Sequence, residues 1–148
     1  TARDLVYHSV SDTGLEYKDV AELKILLPSS DKEKIEFLLY ELRMLRMFTI
    51  DFGTFSLDIT VRESIMKAHY LLVGLWAKES KGISDACQIL CDLTDRLPVY
   101  GGAVNQASGH VAHSVGEAFG RWTEIPEHGI LVLATRVFLN TYETHRNV

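Results

Sequence analysis

Residues 31–53, DKEKIEFLLYELRMLRMFTIDFG, restrict the fold of this chain more than any other stretch. At about 100° per residue, Leu38, Leu42, Leu45, Thr49 and Phe52 share one side of a helix. Phe37, Tyr40, Met44, Met47 and Phe48 fill a second side, and Glu36, Arg43 and Arg46 form the one clear polar strip. A helix with so narrow a wet side has to be surrounded by other elements. The methionine and aromatic side reads first as core; its alternative is a groove for a ligand or a partner helix, where the pliability of methionine is useful.

The rest of the chain supplies partners for it. YKDVAELKILL predicts a helix over 17–27, closed by Pro28. Ser30 and Glu33 form a capping box ahead of the 31–53 helix, and Thr60 and Glu63 form another ahead of a helix over 61–80. The core face of that helix is expected at Val61, Ile65, Ala68, Leu72, Leu75 and Trp76. Gly82 lies past its end. A shorter helix over 85–97 stops at Pro98, VYGG forms a loop, and a further helix spans 103–122. The last helix runs over 127–144, with Pro126 at its first position. Residues 1–15 show no helical period and read as a short strand or an extended arm. Short connections favour antiparallel neighbours. The expected fold is therefore all-α, a compact antiparallel bundle of five or six helices, with residues 1–148 forming one domain.

Bulk properties narrow the function. Among 148 residues the net charge is -5, so no overall basic character supports a nucleic-acid partner. No run approaches the ~20 apolar residues that span a bilayer. The N-terminus carries no basic start followed by an apolar core, so no signal peptide is expected. Cys87 and Cys91 are four apart on a helix, a spacing too wide for an unstrained disulfide. Two free, buried thiols fit a reducing compartment, and the expected location is cytoplasmic.

The segment SGHVAHSVGEAFGRW (108–122) divides into three helical faces. Val111, Val115, Phe119 and Trp122 form a bulky apolar face; Ala112, Gly116 and Gly120 form a small one. Each glycine costs a helix interior about 1 kcal/mol against alanine, so a neighbouring backbone is expected to use the room. That neighbour lies in the same chain or across a dimer seam; otherwise a ligand lies against the bare backbone. His110, His113 and Glu117 share the third, polar face. Imidazoles at i and i+3 with a carboxylate at i+7 suit a divalent transition metal. The plainer reading is a solvated stripe in which His113 or Arg121 pairs with Glu117.

Two further residues are candidates for a ligand or metal role. Asp51 aligns with Tyr40, Met44 and Met47, where a carboxylate needs a partner. Its alternative is a place at the fraying helix end, meeting water or an arginine. His69 sits on the apolar side of its helix, most simply as a satisfied core residue, otherwise as a proton switch or ligand. No P-loop, GxGxxG, HExxH, EF-hand, zinc-finger or triad pattern occurs. The expected function is a small protein-interaction or regulatory module that self-associates as a homodimer and needs no cofactor. The alternative is a metal- or small-ligand-binding bundle, an enzyme included, built on the histidine and glutamate face.

Overall fold

The computed structural model describes residues 17–28, 31–81, 83–107 and 109–146. They form α1 (Tyr17–Leu26), α2 (Lys32–Gly53), a 3-10 turn at Thr54–Ser56, α3 (Ile59–Lys81), α4 (Ile83–Gln106), α5 (Val111–Thr123) and α6 (His128–Arg146). The fold is an all-α bundle, and no strand occurs among the described residues. The arm expected at 1–15 and the Ser30 half of the first capping box lie outside the described residues.

Helix α2 is central, as its pattern requires: it touches α1, α4, α5 and α6. Leu38, Leu42, Leu45 and Phe48 are buried in one cluster with Tyr100 of α4, Val115 and Phe119 of α5, and Leu133, Val137 and Phe138 of α6. Its second apolar side serves a separate cluster, where Met44 packs on Ile89 and Leu93 of α4 with Tyr40, Met47 and Tyr70 at the edge. Two residues depart from this pattern: Phe37 stays exposed and Phe48 joins the first cluster. Arg136 of α6 holds α1 in place by pairing with Glu22 and, at 3.3 Å, with Asp19. The hydrogen bond to Glu22 raises the already high pKa of Arg136, so this clamp stays charged.

The chain runs straight through Pro98, against the expectation of a stop and a VYGG loop. A proline deprives the carbonyl four residues back of its donor. Here that carbonyl belongs to Thr94 on the exposed side, where water can replace the donor. Continuing the helix buries Tyr100 and Ala103 beyond the proline. Full burial of one large side chain contributes about 1.5–3 kcal/mol, comparable with the ~3 kcal/mol cost of an interior proline. The break falls instead at residues 107–110, where Gly109 takes φ +100°. Pro98→Ala is expected to raise the unfolding free energy by about 1–2 kcal/mol in urea titrations, since it restores the bond and removes the ring clash.

Caps also differ from the expected boxes. Asp31 caps α2, accepting from the Lys34 amide at 3.3 Å. Asp58 caps α3 through the Thr60 amide at 3.0 Å. The carbonyl of Glu127, not Pro126, receives the first amides of α6, from Ile130 at 2.9 Å and Leu131 at 3.2 Å. Helix α3 is turned relative to the expected core face. Ile65, Met66 and His69 are buried, while Val61 and Leu75 are 47% and 45% exposed. Leu72 and Trp76 are outside the residues whose side chains are described. Cys87 and Cys91 are free as expected, but both are exposed rather than buried.

Candidate functional site

Helices α5 and α6 form a hairpin whose geometry begins at Glu124. This residue adopts the left-handed conformation, φ 58°, at the end of α5. The Glu124 amide bonds to the Arg121 carbonyl at 3.4 Å and the Ile125 amide to the Gly120 carbonyl at 3.1 Å. Those two bonds are a Schellman motif, which closes the helix and reverses the chain. Gly116 and Gly120 are then buried against α6. A β-carbon on Gly116 would stand 2.1 Å from Thr135 Oγ1 and 2.9 Å from the Leu131 carbonyl oxygen. One on Gly120 would stand 2.2 Å from Leu131 Cδ2. The small face thus receives a helix of the same chain. Ala112, the third member of that face, is half-buried at the open end of the hairpin. Gly109 is exposed, with open space where its β-carbon would be.

His110, His113 and Glu117 lie on the outer side of α5. His113 Nε2 meets Glu117 Oε1 at 3.3 Å, both side chains largely exposed. His110 occupies the N-cap position, and its side chain makes no capping bond. No group of three or more His, Cys, Asp or Glu side chains is placed to share a metal ion among the described residues. His110 and His113 do share another feature: both line a cleft of about 480 Å³ between the end of α2, the start of α5 and the second half of α6. Phe52, Phe138 and Tyr142 form its wall. Phe138 and Tyr142 are nearly parallel, 7° apart with centroids 6.1 Å apart, and Phe52 packs on them at 6.0 and 5.5 Å.

Asp51 and His69 lie elsewhere. Asp51 Oδ1 accepts from Arg62 Nη2 at 3.2 Å, and the Arg62 guanidinium sits 4.0 Å above the Phe55 ring. Asp51 therefore meets an arginine at the helix end. His69 is buried on α3 with its ring edge-on to Tyr70 at 5.8 Å. Burial, with the Asp51 charge adding to it, raises the Tyr70 hydroxyl, which stays protonated at neutral pH.

The strongest polar assembly is one that the sequence patterns did not single out. Glu41 of α2 is 1% exposed among apolar neighbours. Its carboxylate accepts from Arg96 Nε at 3.0 Å, Arg96 Nη2 at 2.5 Å and Trp122 Nε1 at 3.0 Å. Arg96 also donates to the Asp92 carbonyl at 2.8 Å and lies 4.9 Å from the Trp122 ring centre. Asp92 in turn accepts from the Tyr40 hydroxyl and, at 2.9 Å, from Gln88. The Glu41 hydrogen bond raises Arg96, while burial and the bond to Asp92 raise Tyr40. The arginine stays charged and the phenol neutral. With every member fixed by a partner, the network ties α2, α4 and α5 together and leaves no group poised for proton transfer. The available signal was charge opposition: Glu41 and Arg96 each interrupt an apolar helix side.

Several large apolar side chains are exposed on α3. Leu71 is 64% exposed, between Val61 and Leu75 on the side facing away from the core. At about 100° per residue Val61, Ala68, Leu71 and Leu75 fall within roughly 80° of arc. No helix among the described residues is long and apolar enough to cross a membrane. No protein-family model matches the chain, and neither a curated protein nor a solved structure matches it.

Proposed function

We propose that this chain is a helical protein-interaction module that pairs with a second copy of itself through the outer stripe of α3 and carries out no chemistry. The observation behind this reading is the exposed run of Val61, Leu71 and Leu75 on a 23-residue helix. A contiguous apolar stripe in water marks an interaction surface more often than scattered single residues do. Small residues at Ser64 and Ala68 leave room for another helix to approach between the larger ones.

Charge selects a second copy as the occupant. In an antiparallel, two-fold pairing centred on Ala68, Val61 faces Leu75 of the other copy, and Leu71 settles beside Ser64 and Ala68. The same register puts exposed Asp58, at the helix start, opposite exposed Lys78, near its end. A two-fold interface makes each such pair twice. The free thiols of α4 suit a reducing compartment, and the cytoplasm is the proposed setting.

Light scattering behind size-exclusion chromatography tests the pairing. Two copies of the 16.7 kDa chain are expected in one particle, with Leu71→Glu eluting as a single copy and retaining its helical circular dichroism. A parent protein that stays monomeric at high concentration overturns the proposal, as does a Leu71→Glu variant that still pairs.

A further inference from the structure

We infer that the cleft beside His110 and His113 binds a small planar aromatic acid. Its volume of about 480 Å³ falls within the range of small-ligand sites, roughly 300–1,000 Å³. Its chemistry is divided by position. The wall is aromatic, with the nearly parallel rings of Phe138 and Tyr142 and the packed ring of Phe52. Ala112 and Thr135, both half-buried, contribute small side chains to the lining. Both histidines line the cleft and are exposed to solvent.

This arrangement favours one class of ligand. Flat aromatic ligands gain from offset or edge contact with ring walls, beyond the area they bury. An acid group there would find the His110 imidazole, which can donate a hydrogen bond, beside that of His113, whose Nε2 already meets Glu117. No aspartate or glutamate lines the cleft, so its lining holds no carboxylate with which a cationic ligand would pair. Glu117 engages His113 from the outer side of α5, and that contact orients the ring. The site is separate from the α3 stripe and does not depend on self-pairing.

The test uses 2-naphthoate as the probe, titrated into the nitrogen-15-labelled full chain and followed by amide chemical shifts. Saturable shifts are expected at Gly109–His113 and Thr135–Tyr142. Ala112→Phe, which fills part of the cleft, is expected to abolish them. The double variant His110→Ala/His113→Ala, changed only at exposed positions, should weaken binding roughly tenfold, the loss of about one hydrogen bond to a carboxylate. Naphthalene, which lacks the acid, should bind the parent and the double variant equally. Leu71→Glu should bind 2-naphthoate as the parent does. Shifts that never saturate, shifts centred on α3, or a double variant with undiminished affinity would overturn the assignment. If Ala112→Phe does not fold, the double variant alone decides.

Discussion

Glu41→Ala is expected to cost about 3–5 kcal/mol of stability, the range for breaking a buried ion pair by removing one partner. The carboxylate accepts three hydrogen bonds in a place where it is 1% exposed. Its removal leaves the buried Arg96 guanidinium with Asp92 as its remaining partner and takes away the acceptor of the Trp122 indole N–H. The pair itself is a different quantity from the loss on breaking it, because burying both ions is costly to begin with. Glu41→Leu combined with Arg96→Met should therefore recover most of the loss. Urea denaturation of the parent, Glu41→Leu, Arg96→Met and their combination measures the coupling, expected at about 2 kcal/mol or more. Single losses below about 1 kcal/mol, the scale of exposed pairs, would mean that water reaches the carboxylate. The network also bears on specificity. Arg96 and Trp122 come from different helices, so Glu41 is satisfied in only one relative placement of α2, α4 and α5.

Residues that follow a single helical period were legible in the sequence; those decided by tertiary competition were not. The 31–53 pattern implied a central helix, and the structure places α2 against four others. The three faces of the 108–122 stretch implied a close neighbour, supplied by α6 at Gly116 and Gly120. Pro98 was misread because local chemistry says stop, while burial of Tyr100 two residues later says continue. The direction of α3 was misread for a related reason. Its apolar residues run round most of the helix, so periodicity placed Ile65 and His69 inside but could not choose between Val61 with Leu75 and Met66 as their buried neighbours. Cys87 and Cys91 were assigned by residue-type preference, which α4 overrides by turning that side outward. The cleft joins residues 52, 110 and 142, and the ion pair joins 41 to 96. Separations of that size leave no local pattern, although opposite charges on two apolar helix sides were a usable hint.

Gly116→Ala should lower stability although alanine is the better helix former. The propensity gain is about 1 kcal/mol. Against it stands a β-carbon 2.1 Å from Thr135 Oγ1 and 2.9 Å from the Leu131 carbonyl oxygen. The hydroxyl can be removed or turned, but the carbonyl belongs to the backbone of α6 and moves only if the helix does. Overpacking costs about 1–3 kcal/mol, and against a backbone oxygen the upper half of that range applies, so a net loss of about 1–2 kcal/mol is expected for alanine and about 3 kcal/mol for Gly116→Val. Gly120 provides the control. Its nearest obstacle is Leu131 Cδ2, the free end of a side chain, and the nearest backbone atom is the Ile125 oxygen at 3.4 Å. A rotamer change accommodates a methyl there, so Gly120→Ala should stay within about 1 kcal/mol of the parent. Thr135→Ala in the Gly116→Ala background should recover part of the loss, because it clears the 2.1 Å contact and leaves the 2.9 Å one. Chemical denaturation midpoints at constant m-value give all four numbers. A Gly116→Ala protein as stable as the parent would mean that α5 and α6 stand further apart than a close backbone approach allows, and the three-glycine segment would need a different explanation.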